Sequence, residues 1–324
     1  MQAEDYAAIE AIAADDPERA RELGSAWMRH MRAGEFELAW RVSDEVLRGR
    51  RGQSAHHLPR HFQWIWNGEP LDAKRVLVRC YHGLGDTIQF IRFAQLVKRI
   101  ARRVVVWAQP QLIPLLETAE GIDELLPLHD AAPAVDYDID LESMELPHVF
   151  RATVETLPRV VPYLHVAPAM LGGDRNLQVG LVWECGDWAP ERAIPLDLLL
   201  PLAEIKGVTL HLIQRGSALR KAPAAFGIVS GSDDILEAAR VIAALDLMIT
   251  IDSMPAHLGG ALGVSTWTLL QANADWRWMD DREDSPWYPT MRLFRQERAG
   301  DWEPVVARVR RELLELTKAP RAGR

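Results

Sequence analysis

The stretch RVLVRCYHGLGDTIQFIRFAQLV (75–97) decides the fold class. Its first six residues read as a continuous apolar strand of the kind a parallel sheet buries on both faces. HGLGD (82–86) follows as a glycine turn, and from Thr87 to about Ala101 the apolar residues recur at helical spacing. Strand, glycine loop and helix in this order are the grammar of an α/β protein. Gly83 and Gly85 mark backbone that turns tightly and is closely approached. As a dinucleotide fingerprint the loop fails, because the third glycine is missing and RVVVWA (103–108) ends without an acidic residue. Asp86 suits a helix N-cap, with Gln89 three residues on completing a capping box. A carboxylate at a strand end suits acid–base chemistry equally well.

Downstream, RVVVWA, a helix over 110–119, DELLPL (123–128) and YDIDL (137–141) complete a first α/β unit. A Pro-containing stretch, 157–175, reads as a linker. QVGLVWE (178–184) then opens a second cycle: helix 196–204, strands 208–213 and 226–230, helix 234–244, strand 246–251, helix 255–262 and strand 265–270. A final helix runs from about Glu303 to Leu316. Upstream, Ala7–Ala13, Ala20–Arg32 and Phe36–Leu47 are helical in composition. GEFELAWRVSDEVL (34–47) looks like half of a tetratricopeptide unit, but an array needs about three repeats. A helical prefix packed on the next domain is therefore favoured over a protein-docking module, with a protein partner through residues 1–67 as the other reading. The expected division is 1–67 for the prefix, 68–165 for a first Rossmann-like domain and 166–324 for a second. Two doubly wound sheets facing a cleft would hold ligands at the carboxyl ends of their strands.

The chain of 324 residues carries 46 acidic and 37 basic side chains, a formal net charge of -9. That balance argues against a nucleic-acid binder. No apolar run approaches the ~18–20 residues of a spanning helix, and the first residues lack the basic-then-apolar order of a secretory leader. Cys80 and Cys185 form no C-x-x-C pair. A disulfide framework or cysteine zinc site is thus excluded, and a cytoplasmic location is expected.

A second candidate cluster is IDSMPAHLGGALG (251–263). A buried strand ends at Asp252 and a helix starts just beyond it, so free N–H groups and the helix dipole create an anion site. Gly259 and Gly260 each cost the helix about 1 kcal/mol, implying close approach of another backbone or of a ligand. His257 in the first turn could donate to a phosphate.

GLGDTIQFIRFAQLV (83–97), GLVW (180–183) with Arg192-Ala-Ile-Pro, ALDLMITIDSMPAHLGGALG (244–263) and ADWRWMDDREDSPWYPTMRLFRQ (274–296) occur in this order. Over roughly residues 68–318 the chain resembles glycosyltransferase family 9, the ADP-heptose:lipopolysaccharide heptosyltransferase superfamily, and most of all its tetratricopeptide-associated branch. The resemblance implies a GT-B fold of two facing Rossmann-like domains, acceptor mainly on the first and nucleotide-sugar mainly on the second. It implies inverting, metal-independent transfer of a hexosyl or heptosyl group to a glycan or protein hydroxyl, with the nucleotide-sugar as co-substrate and no other cofactor.

Carried over by position, Asp86 is the general base. Asp252, Ser253, Met254 and His257 fall on the segment that holds the donor diphosphate, and Arg192 matches a basic residue reaching it. Gln214, Arg215 and Gly216 end a strand where relatives contact the nucleoside. The loop CGDWAPERA (185–193) is shorter than the Asn/His-rich one usual in close relatives, and Trp188 within it is the candidate for sugar stacking. Most of the other tryptophans, Trp183, Trp276, Trp278 and Trp287 included, are expected to be structural. DYDID (136–140) contains the D-x-D of metal-dependent transferases, yet its alternation suits a strand, and DDREDS (280–285) suits a solvated loop. The competing readings are a non-catalytic GT-B-like scaffold and a nucleotide-sugar epimerase.

Overall fold

A computed structural model of the chain describes residues 17–50, 52–53, 58–172, 176–186 and 189–318. The backbone falls into two compact units. One comprises the residues up to Leu164 with Asp275–Arg282, and the other His165–Ala274 with the residues from Glu283 onward. Residues 275–282, within the stretch expected to form the second domain, group with the first.

The first unit opens with α1 (Pro17–Arg32) and α2 (Phe36–Gly49), joined through Gly34 at φ 76°. The helix expected over Ala7–Ala13 lies outside the described residues. α2 is tied to the α/β part: Trp40 Nε1 donates to the Ala152 carbonyl at 2.6 Å, and Asp44 accepts from Arg151 and His148 at 2.6 and 2.9 Å. Trp27 of α1 meets the Trp276 ring edge-on at 5.1 Å.

The sheet of this unit is β1 (Arg75–Arg79), β2 (Arg103–Ala108), β3 (Glu124–Pro127) and β4 (Ile139–Glu142), all parallel in the order β3-β2-β1-β4. Val76, Leu77 and Val104–Val106 are fully buried, which is why β1 and β2 read as apolar runs. Beside them lie α3 (Leu84–Phe90), α4 (Ala94–Ile100), α5 (Ile113–Leu116) and α6 (Leu146–Val149). The helix expected to start at Thr87 starts three residues earlier and is divided by a 3₁₀ turn at Ile91–Phe93. Strand β4 begins only at Ile139, so Asp136–Asp138 precede it.

The second unit is a six-stranded parallel sheet in the order β10-β9-β8-β5-β6-β7. Its strands are β5 (Leu177–Val182), β6 (Val208–Leu212), β7 (Ile228–Val229), β8 (Leu247–Ile251), β9 (Thr266–Leu270) and β10 (Met291–Arg295). They alternate with α7 (Leu196–Leu199), α8 (Gly216–Lys221), α9 (Ile235–Ala243) and α10 (Met254–Ala261), and α11 (Glu303–Lys318) follows β10. β10 and α8 had no counterpart in the sequence reading. Each sheet reverses its winding beside its first strand: β1 lies between β2 and β4, and β5 between β6 and β8. Connections leave in opposite directions at such a switch point, opening a crevice at the strands' carboxyl ends.

Candidate functional site

In the first unit, the loop after β1 and the turn after β4 flank the switch point. The N-cap of α3 is Gly83, and Asp86 is its third helical residue. This corrects the expectation that Asp86 itself is the cap. Glycine has no side chain to offer, so the carboxylate one turn into the helix reaches back, and Asp86 Oδ2 accepts the Gly83 N–H at 2.8 Å. A Cβ on Gly83 would stand 3.0 Å from that same oxygen, so the close approach that calls for glycine here is Asp86's own. Gly85 sits inside α3, half-buried.

Asp86 Oδ1 accepts from Arg277 Nη2 at 2.6 Å. The Arg277 side chain is only 7 % exposed. Its Nη1 donates to Asp275 at 2.8 Å, and its Nε to Gln89 Oε1 at 2.9 Å. The guanidinium lies 4.5 Å from the Trp276 ring centroid, within cation–π range. Gln89 thus serves Arg277 and does not complete a capping box. Asp86 keeps 24 % of its side chain exposed.

Beyond β4, Glu142 accepts the N–H groups of Tyr81 and Met144 at 3.3 and 2.6 Å, and Glu145 accepts those of Trp66 and Glu142 at 3.0 and 2.7 Å. Burial pushes both carboxyls up, Glu145 to about 7. A cavity of about 220 Å³ in this unit is lined by Trp27, Trp64, Trp276, His82, Glu142 and Met144, among others. Met144 Sδ also lies 3.8 Å from Arg277 Nη2, so the cavity borders the Arg277–Asp86 pair.

The D-x-D carboxylates are bound to cations of β1. Asp138 pairs with Arg75 at 2.8 Å, which holds its carboxyl down at about 2, and Asp140 pairs with Arg79 at 2.7 Å. In the DDREDS run, Asp280 pairs with Arg32 at 2.9 Å and Glu283 with Arg308 at 2.7 Å. Among the described residues, no group of three or more His, Cys, Asp or Glu is placed to hold a metal ion.

In the second unit, the switch point lies between the ends of β5 and β8. Arg192 closes a 3₁₀ turn in the loop after β5 and is buried. Its Nη1 donates to the Asp252 carbonyl at 3.0 Å, and its Nη2 lies 3.3 Å from Asp252 Oδ2. The structure thus brings Arg192 and Asp252 together from 60 residues apart. Ser253 is the N-cap of α10, with Oγ donating to the Ile251 carbonyl at 3.3 Å, and Met254 is the first helical residue. His257 is buried with Nδ1 2.9 Å from the Tyr288 hydroxyl.

The two glycines of α10 admit neither a ligand nor another backbone. A Cβ on Gly259 would meet Thr266 Oγ1 at 2.7 Å, and one on Gly260 would meet the Tyr288 ring at 2.3 Å. Side-chain packing is therefore what they serve, correcting the expectation. Gln214 is likewise committed internally: Oε1 accepts the N–H groups of Trp183 and Glu184, and Nε2 donates to the carbonyls of Glu184 and Arg215. Its side chain fixes the loop after β5. Arg215 Nη1 donates to the Ser232 and Asp233 carbonyls, and Gly216 starts α8 at φ 71° with open space beside it. Trp188 lies outside the described residues. Trp183, Trp276, Trp278 and Trp287 are buried.

Sequence reasoning missed Arg277, Asp275 and Glu142. The available signal was an arginine between two tryptophans, Trp276 and Trp278, because a cation in an apolar setting is seldom buried without an acidic partner.

No protein-family model matches the chain. Over 366 aligned residues it is 26 % identical to Protein FlbA of Caulobacter vibrioides, covering 94 % of this chain and 58 % of FlbA, so the chain spans little more than half of that relative. Among solved structures, the family 9 glycosyltransferase of Veillonella parvula superposes with a TM-score of 0.57 at 14 % identity, over 77 % of this chain and 97 % of that one. The iron-containing dodecameric glycosyltransferase TibC of enterotoxigenic E. coli gives a TM-score of 0.50 at 12 % identity, over 77 % of this chain and 76 % of that one. No described helix is long and apolar enough to cross a membrane. Two parallel α/β sheets preceded by short helices, superposing on these proteins, give the chain the GT-B-type fold of glycosyltransferase family 9.

Proposed function

We propose that the chain is a nucleotide-sugar glycosyltransferase that inverts the anomeric centre and needs no metal. The observation that carries this reading is the position of Asp86. In a family 9 fold it stands at the β1/β4 switch point, on a helix start, with part of its carboxylate open to solvent. A carboxylate has about four lone-pair sites. Gly83 and Arg277 each engage one of its oxygens, which leaves acceptor capacity for a substrate hydroxyl.

In the proposed reaction Asp86 takes the proton of the acceptor hydroxyl as that oxygen bonds to the anomeric carbon. The bond from that carbon to the donor's diphosphate oxygen breaks, and the electron pair leaves with the nucleoside diphosphate. In the second unit, the amides at the start of α10, around Ser253 and Met254, stabilise the leaving charge together with Arg192. Asp252 orients Arg192. His257, held by Tyr288, stands one turn into α10 as the remaining member of the segment read as the diphosphate site. Gln214 shapes the loop after β5 instead of touching the nucleoside, while Arg215 and the glycine backbone at Gly216 remain the nucleoside contacts of this reading. The indole-lined cavity of the first unit suits the acceptor, since sugar faces stack on tryptophan. The acceptor is a glycan or a protein hydroxyl, and the compartment is the cytoplasm.

A second reading, a non-catalytic scaffold, draws on the pairing of Arg192 with Asp252 and of Asp86 with Arg277, which occupies polar groups a substrate would use. Thermal shift and calorimetry with ADP, UDP, GDP, CDP and dTDP, each with and without EDTA, separate the two. One diphosphate binding regardless of EDTA supports the transferase. Binding abolished by EDTA overturns the metal-free mechanism, and no binding by any of them favours the scaffold.

A further inference from the structure

Arg277 contacts two carboxylates, Asp275 at 2.8 Å and Asp86 at 2.6 Å. Asp275 and Arg277 are nearly as buried as each other, with side chains 8 and 7 % exposed, whereas Asp86 is 24 % exposed. The guanidinium is further fixed by Gln89 and lies over the rings of Trp276 and Phe90 at 4.5 and 5.5 Å. Asp275 is itself locked, its Oδ1 capping the turn Trp276–Trp278 by accepting the Arg277 N–H at 3.0 Å.

A base in contact with a buried guanidinium presents a physical difficulty. Once the base accepts a proton, the buried cation loses a counter-charge, and an uncompensated buried charge is expensive. The second carboxylate removes that difficulty. With Asp86 ionised, the three groups carry a net charge of -1. With Asp86 protonated, Asp275 and Arg277 remain as a neutral, hydrogen-bonded pair. Of the two carboxylates the more exposed one, next to solvent and substrate, is the one free to take up the proton.

We infer that Asp275 and Arg277 are positioning residues for Asp86, Arg277 fixing the carboxylate and Asp275 neutralising Arg277 so that Asp86 can accept a proton. This inference rests on the reading of Asp86 as the base, because an Asp86 that stayed ionised would itself serve as the counter-ion of Arg277. Other titratable groups near the start of α3 are His82 in the preceding loop and Glu142 and Glu145 beyond β4. They are common to every variant below. The segment 275–282 reaches the first unit from the end of β9, which explains how a residue 191 positions away in sequence comes to hold Asp86.

The test is carboxyl ¹³C NMR titration of the full chain, with the Asp86 signal assigned by its loss in Asp86→Asn. It needs no substrate, because the probe is the proton. Removing an adjacent cation raises a carboxylate's titration midpoint by about 1–3 pH units, and strengthening the effect of that cation lowers it. Arg277→Gln should therefore move the Asp86 midpoint up. Asp275→Asn should move it down, and Arg277→Lys should stay near the parent protein. Opposite movements in the first two variants are the expected result, and a merely structural role would not produce them. Movement in the same direction, or in neither, overturns the inference. Should Arg277→Gln fail to fold, the downward shift in Asp275→Asn decides alone. Retained transfer by a folded Asp86→Asn protein would instead sink the base reading, a different outcome read in a different assay.

Discussion

Gly260→Ala offers a direct test of what the paired glycines of α10 are for. A methyl group at this position would sit 2.3, 2.5 and 2.7 Å from Cδ1, Cγ and Cε1 of Tyr288, a ring that is fully buried. Restoring ordinary contact requires the ring to retreat by about 1 Å in a close-packed interior. Overpacking of this sort costs about 1–3 kcal/mol. The Tyr288 hydroxyl pairs with His257 at 2.9 Å, and displacing it forfeits about 0.5–1.5 kcal/mol more. Alanine's better helix propensity returns about 1 kcal/mol. The net loss is about 2 kcal/mol, or a fall of about 4–8 °C in the melting temperature of this unit. Thermal unfolding followed by circular dichroism reads it. In a Tyr288→Ala background the same methyl should stabilise, because the obstructing ring is gone. Were Gly260→Ala as stable as the parent protein, the packing account would be wrong and a ligand-approach role would return.

Asp86→Asn should lower transfer by about 10²–10⁴-fold, measured with whichever nucleotide-sugar the diphosphate panel identifies, and should also cost about 1–3 kcal/mol, because an amide cannot accept from both Gly83 and Arg277. Because Glu145 titrates at about 7 when folded against 4.5 as the ordinary value, its contribution is complete below pH 4.5. It is lost as pH rises through 7. The urea midpoint of the first unit should accordingly fall between about pH 5 and pH 8. It should fall less in Glu145→Gln, and an unchanged slope would refute the assignment. Trp40→Phe removes the donor to the Ala152 carbonyl and should cost about 1–3 kcal/mol, detected as a lower urea midpoint. Gly216→Ala, at φ 71° with open space around it, should cost about 1–2 kcal/mol from backbone strain alone.

Much of this architecture is legible in the chain because it depends on neighbours in sequence. RVLVRC and DLMITI read as strands because both faces of each are covered, and the glycine turns after them mark where helices begin. Boundaries were less legible. α3 starts at Leu84 because the backbone N–H of Gly83 can be served by the Asp86 carboxylate, a bond that residue preferences do not reveal. The short strand β10 escaped notice because the stretch MRLFR, with two arginines in five residues, becomes a strand only by pairing with β9.

By itself the sequence determined the α/β class, the two cycles of strand and helix, and the strand-to-helix turns beside which Asp86 and Asp252 stand. Those properties follow from hydrophobic periodicity and turn chemistry, which act over a few residues. Tertiary structure decided what those carboxylates touch. Arg277 reaches Asp86 from 191 positions away, Arg192 reaches Asp252 from 60, and Tyr288 occupies the space that Gly260 leaves. Buried charges and close-packed rings must find partners wherever the chain brings them, so their pairing is settled by packing in three dimensions and not by spacing along the chain.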